Sequence, residues 1–289
     1  MFFYFIVLIN DMEERYNKVA VVTGSSSGIG REVSLMLARN GFTAYATMRN
    51  LVKSSELKTI ADREKLPLKT VHLDVTDDIS VKNAIQAIFD ENNRIDILIN
   101  NAGYGLTGAL EDLDIGEIKS QYETNVFGLI RTTQTVLPIM RKQNSGTIVN
   151  ISSGLGRFGI AASSAYVSSK FAVEGLSESM SYELEPFGIR TILIEPGVIK
   201  TSFIKSAVLA KKSQDPNSPY IQLMKGMESG MDKLLENGES PEYVAKVVLD
   251  AIMDKKPKIR YLAGKDVEHI LDIKNKISDE DFHNMLKQM

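Results

Sequence analysis

After Lys18 the chain alternates short β-branched runs with longer helical patterns, and no other feature restricts its folding as much. Strands are expected over residues 19–23, 43–47, 69–73, 95–100, 146–151, 190–195 and 258–262. Helices are expected over residues 29–40, 79–92, 115–143, 163–187 and 241–254. Repeated strand-helix-strand units build a parallel sheet that helices cover on both faces. The expected class is therefore α/β, one doubly wound domain around a sheet of seven strands. Within the fourth helix, Val173, Leu176, Met180, Leu184 and Phe187 recur at helical spacing and form an expected core stripe.

The alternation lapses over residues 198–238, where Met, Lys, Ser, Pro and Gly mix without clear strand character. A segment of this length in a compact domain is expected to be a functional lid or to be disordered. The expected layout is an N-terminal extension (1–17), a catalytic domain (18–264) containing that lid, and a C-terminal helical tail (265–289). In the tail, Ser278-Asp279-Glu280-Asp281 leads into Phe282, Met285, Leu286 and Met289 as a capped amphipathic helix, packed on the core or on a partner.

With 289 residues and 43% hydrophobic content, the chain can bury one full core. Its 34 basic and 37 acidic residues form no long like-charged block, so no nucleic-acid partner is expected. Zero cysteines exclude disulfides and thiolate chemistry. His72, His269 and His283 lie far apart without metal-ligand spacing, so no metal site is expected. The apolar run at residues 2–9 falls far short of the roughly 20 residues of a membrane span and lacks signal-peptide flanks. From Met12, a candidate start, the chain reads as a cytoplasmic protein. The apolar run itself is open to three readings: a stretch ahead of the true start, an element packing on a partner subunit, or a weak membrane-surface anchor.

The first expected strand runs into Thr23-Gly24-Ser25-Ser26-Ser27-Gly28-Ile29-Gly30, after which a helical pattern begins. Gly24, Gly28 and Gly30 let the backbone turn tightly and approach a diphosphate lying on the helix N-terminus, with Ser26, Ser27 and Ile29 in the same cofactor-binding turn. A Rossmann site that prefers NAD normally ends its second strand in Asp or Glu. Here Met48 stands about there and Arg49 follows; a guanidinium fork suits the 2′-phosphate of NADP, so NADP(H) is expected over NAD(H). Asp74, beside Val75 at the end of the third strand, is expected to accept from the adenine amino group or else to cap the next helix.

Tyr166 and Lys170 are four apart, one turn along one helix face. By itself that spacing is usual for a solvated face. An ammonium beside a phenol favours the phenolate, however, and a tyrosine with a pKa of about 10 needs such a neighbour to act as acid or base near neutrality. Asn150-Ile151-Ser152-Ser153 upstream adds a hydroxyl to the pair.

Together these residues resemble the short-chain dehydrogenase/reductase family over about residues 18–264. The family's glycine turn is Thr23 to Gly30, its Asn-Asn-Ala-Gly motif is Asn100 to Gly103, and its Tyr-x-x-x-Lys is Tyr166 to Lys170. Its active-site Asn falls on Asn125 and its serine, thirteen residues before the tyrosine, on Ser153. The resemblance implies that Tyr166 protonates the carbonyl oxygen or takes the alcohol proton, that Lys170 lowers the phenol pKa and holds the nicotinamide ribose, and that Ser153 orients the substrate oxygen. It further implies that Asn125 holds a relay water, that Asn101, Ala102 and Gly103 line the cofactor, and that Pro196, Gly197, Val198 and Thr201 lie near the nicotinamide carboxamide.

Residues 45–50 and 257–261 resemble the hydroxysteroid- and retinol-dehydrogenase-like branch. That likeness implies an apolar ketone, aldehyde or secondary alcohol as substrate, under a lid whose candidate lining is Phe203, Ile204, Leu209, Tyr220, Met224 and Met227. A homodimer or homotetramer is common in the family. Two other functions stay open on the same fold: a non-catalytic NADP-binding sensor, and a dehydratase or epimerase working through transient oxidation.

Overall fold

The apolar runs become strands because they are buried on both sides. The computed structural model describes residues 18–205 and 207–288; the expectations for residues 1–17 lie outside the described residues. Nine strands are present among them: β1 (Val19–Val22), β2 (Thr43–Met48), β3 (Leu68–His72), β4 (Ile97–Asn100), β5 (Leu106–Thr107), β6 (Gly146–Ile151), β7 (Ile189–Pro196), β8 (Val208–Leu209) and β9 (Arg260–Ala263). Seven form one all-parallel sheet in the order β3-β2-β1-β4-β6-β7-β9, and β5 pairs with β8 apart from it.

The helices are α1 (Gly28–Arg39), α2 (Ser55–Glu64), α3 (Asp78–Asn92), α4 (Ile115–Tyr122), α5 (Gly128–Gln143), α6 (Ser164–Leu184), α7 (Ser202–Lys205), α8 (Ile221–Glu236), α9 (Pro241–Met253), α10 (Lys265–Lys274) and α11 (Asp279–Leu286). Strand alternation sorts the core into two layers. Ala20, Val22, Ile97 and Ile99 pack with Val33 and Leu37 of α1 and Val244 and Val248 of α9. Val19, Val21, Leu98 and Ile148 pack with Ile85 of α3, Val136 of α5 and Met180 of α6. Each of these Val, Leu, Ile and Met side chains contributes about 1.5–3 kcal/mol on burial. The chain leaves β1 toward β2 on one side and returns to β4 on the other, which opens a crevice at the carboxyl ends of the strands.

Three local expectations change. The helix expected over residues 115–143 is α4 and α5 joined by a π turn, Glu123–Phe127, that carries Asn125; such turns recur at functional sites. Val173, Met180 and Leu184 are buried as expected, but α6 stops at Leu184 and a 3₁₀ turn containing Pro186 rotates Phe187 out of the stripe, leaving it 40% exposed. The segment 198–238 contains β8 and α8 rather than lacking regular structure. The cap at Ser278 forms as the sequence suggests, its side chain accepting from the Asp281 N–H at 3.1 Å. Among the described residues, no helix is long and apolar enough to cross a membrane.

Candidate active site

The glycine turn after β1 and the loop after β4 are locked together at the crevice. Thr23 Oγ1 accepts from the N–H groups of Asn101 and Ala102, both at 3.0 Å. Asn101 Nδ2 donates back to the Thr23 and Gly24 carbonyls at 2.9 and 3.1 Å. Gly24 has φ +70, and a Cβ there would lie 2.8 Å from the Ala102 Cα, so only glycine passes under the second loop. A Cβ on Gly30 would meet Asn101 Nδ2 and, at 2.6 Å, the Gly24 carbonyl. Gly30 therefore packs the turn from behind, where a side chain would not fit.

All the other expected site residues except Asn125 line one cleft of about 2960 Å³. A single small-ligand pocket measures roughly 300–1,000 Å³, so this cleft has room for a dinucleotide and a second ligand. A dinucleotide suits its residues. Ser27 at the N-cap of α1 makes no side-chain capping bond, which leaves the helix N-terminus to an anion at the glycine turn. Asp74 does not cap α3; Asp77 does, accepting from the Ile79 and Ser80 N–H groups at 2.8 and 3.1 Å. Asp74 Oδ1 instead accepts from the N–H and hydroxyl of Thr76, at 2.9 and 2.8 Å, and the residue stays on the cleft wall. Arg49 is exposed and makes no hydrogen bond or ion pair among the described residues. Lys53 joins it on the wall. Sequence reasoning missed Lys53, although a second basic residue four positions after Arg49 was the available signal.

α6 presents Tyr166 and Lys170 one turn apart, with Lys170 Nζ 5.8 Å from the centre of the Tyr166 ring and donating to the Ile151 carbonyl at 2.8 Å. Ser153 Oγ accepts from the Leu155 N–H at 3.1 Å and stands close enough to the phenol to favour its ionised form. Burial pushes the Tyr166 phenol up to about 12, opposed by Ser153. Burial pushes the Lys170 ammonium down to about 8, opposed by the charge of Glu174. Desolvation of the phenolate is the largest influence on Tyr166.

Asn125 lies behind the cleft wall, 2% exposed. Its Nδ2 donates to the Tyr104 carbonyl at 3.0 Å and to Ser169 Oγ at 3.2 Å, and its Oδ1 accepts from the Tyr104 N–H at 3.1 Å. Its side chain braces the loop after β4.

From the lid, Phe203, Leu209, Met224 and Met227 line the cleft, and the Phe203 ring lies 6.0 Å from that of Tyr166. Tyr220 turns away, its hydroxyl donating to Glu111 at 2.9 Å; the side chain of Ile204 lies outside the described residues. The tail, which leaves every motif intact in sequence, touches one in space. Asp266 Oδ2 accepts from the Val198 N–H at 2.7 Å, Met285 and Leu286 reach the cleft, and Phe282 packs edge-on against Phe158 at 5.8 Å. Their apolar spacing on an amphipathic helix was the only sequence signal.

Below the cleft, Glu195 of β7 is fully buried, 3.2 Å from Arg157 and 3.3 Å from Arg260. Burial pushes its carboxyl up to about 7, helped by Glu174 and opposed by the arginines. The folded chain therefore holds a proton that the unfolded chain releases near 4.5. The resulting stability is complete below that value and is lost as pH rises through about 7. Relative to Glu195→Gln, the wild type is expected to lose about 5 °C of Tm between pH 5 and 8. Thermal melts across that range check this, and parallel profiles for the two proteins would contradict it.

Residues 18–212 match the family described as short chain dehydrogenase. The chain is 41% identical over 257 residues to the uncharacterized oxidoreductase YusZ of Bacillus subtilis, covering 87% of this chain and 90% of that one. It is 35% identical over 254 residues to retinol dehydrogenase 8 of Bos taurus, covering 84% and 80%. A solved short-chain dehydrogenase from Streptomyces avermitilis superposes with a TM-score of 0.76 at 30% identity, covering 90% of this chain and 94% of that one. With a matched family, a shared seven-stranded sheet and relatives over most of its length, this chain belongs to the short-chain dehydrogenase/reductase family of oxidoreductases, in its hydroxysteroid- and retinol-dehydrogenase-like branch.

Proposed function

We propose that this protein is an NADP(H)-dependent oxidoreductase that interconverts an apolar ketone or aldehyde with the corresponding alcohol, using Tyr166 as proton donor and acceptor. The observation that carries this reading is the convergence of Ser153, Tyr166 and Lys170 on one wall of the cleft, between the glycine turn and the apolar lid. When bound, the nicotinamide supplies or takes up the hydride. A phenol near 12 keeps its proton at neutral pH, so Tyr166 is set to donate it to the carbonyl oxygen as the carbonyl carbon is reduced. The reverse reaction needs the phenolate and is favoured by alkaline pH. Ser153 orients the substrate oxygen toward that proton. Lys170, mostly charged at neutral pH with a value near 8, faces the phenol and would hold the ribose hydroxyls.

Arg49 and Lys53, exposed cations at the end of β2, support the preference for a 2′-phosphate. Phe203, Leu209, Met224 and Met227 support an apolar substrate, as does the likeness to an enzyme named for retinol. The test is the initial rate of reduced-cofactor oxidation over a panel of apolar ketones and aldehydes, with NADPH and with NADH. Turnover that favours NADPH is expected. Tight NADPH binding without any turnover would instead favour the non-catalytic sensor.

A further inference from the structure

Lys170 stands on a buried ion cluster that no step of the proposed reaction uses. One turn further along α6, Glu174 is 5% exposed and Lys170 7%. Glu174 Oε2 accepts from Arg260 Nε at 2.9 Å. Arg260 also lies 3.3 Å from Glu195 and donates to Glu178 at 2.8 Å, while Arg157 reaches Glu195 at 3.2 Å. The titratable and charged groups around Glu174 are Lys170 and Glu178 from α6 itself, Glu195 from β7 with its partner Arg157 from the connection after β6, and Arg260 from β9.

Two buried oxygens in this region have no hydrogen-bond partner, Glu174 Oε1 and Ser152 Oγ. Both flank Gly156, where a Cβ would lie 3.3 Å from the first and 2.9 Å from the second. An unpartnered buried carboxylate oxygen is costly, and here it belongs to a residue one helical turn from a buried lysine, outside direct ion-pair contact with it. The Arg260 guanidinium donates to the other oxygen of Glu174 and sets a cation beside it.

We propose that Glu174, held by Arg260 and opposed by Glu195, is a positioning residue that keeps the Lys170 ammonium charged in its dry site, and so sets the pH at which the Tyr166-Lys170 pair works. This rests on the catalytic reading above. It goes beyond it in assigning the pair's proton affinity to residues outside the cleft, since neither Glu174 nor Arg260 lines it. Glu174 is the charge that opposes burial at Lys170, in keeping with the geometry.

The test is a nuclear magnetic resonance titration of the full chain labelled at the lysine side chains, with the Lys170 signal assigned by its loss in Lys170→Met. In Glu174→Gln the Lys170 midpoint is expected to fall by about one pH unit. In Glu174→Asp, which keeps the charge one methylene further back, it falls by less. An unmoved or raised midpoint in Glu174→Gln overturns the proposal. If that variant does not fold, an unmoved midpoint in Glu174→Asp overturns it and a lowered one supports it. In parallel, the alkaline limb of the pH profile for carbonyl reduction moves down by the same amount. A lowered midpoint in a protein without Tyr166-dependent turnover supports the proposal and defeats the catalytic reading. An unmoved midpoint in a protein with such turnover does the reverse.

Discussion

Tyr166→Phe is expected to lower turnover by about 10²–10⁴-fold, the usual worth of a positioned general acid, with NADPH affinity changed by no more than about twofold. The substitution removes one oxygen from the cleft wall and keeps the ring that packs 6.0 Å from Phe203, so the cavity holds its shape. What goes is the proton. Because burial holds the phenol near 12, it is protonated throughout the neutral range and delivers that proton without prior ionisation. Loss should therefore be uniform in carbonyl reduction from about pH 6 to 8, without the displaced profile that a changed pKa would give. Single-turnover rates at saturating NADPH, set beside cofactor binding followed by fluorescence, separate the two effects. Turnover retained in Tyr166→Phe would mean that another group donates the proton.

Arg49→Glu is expected to weaken NADPH by at least about 100-fold while changing NADH by less than about threefold. Charge-assisted hydrogen bonds are worth about 1.5–3 kcal/mol each, and a planar guanidinium can offer two to a phosphate. The variant forfeits these and sets a carboxylate against the phosphate, although Lys53 on the same wall retains part of the attraction. Since Arg49 is exposed, salt should screen the discrimination, which is expected to shrink as ionic strength rises. Dissociation constants for both cofactors at two salt concentrations provide the check. Equal weakening of NADPH and NADH would remove the 2′-phosphate assignment.

The strands and most helices were readable because their signals are local. Val19 to Val22 is apolar on both faces, and only a doubly covered strand tolerates that in water. The glycine turn was readable for a similar reason, since the conformation at Gly24 excludes other residues. The π turn at Asn125 was not, because an inserted residue in a helix leaves the hydrophobic period almost unchanged while rotating everything beyond it. Tyr220 resembled a pocket residue until its hydroxyl found Glu111, which is 109 positions away in sequence. The desolvation around Tyr166 was not readable either: the i, i+4 lysine is local, whereas burial comes from the whole surrounding fold.

By itself the sequence determined the fold class, the order of the strands along the chain and the family, because strand period, glycine conformation and motif spacing act over a few residues. Tertiary structure alone decided that the tail reaches the cleft through Asp266, Met285 and Leu286, that Asn125 works from behind the wall, and that Glu174, Glu195, Arg157 and Arg260 meet beneath Lys170. Those contacts join segments up to 86 residues apart, and such encounters follow from how the two core layers pack on the sheet, which no local pattern encodes.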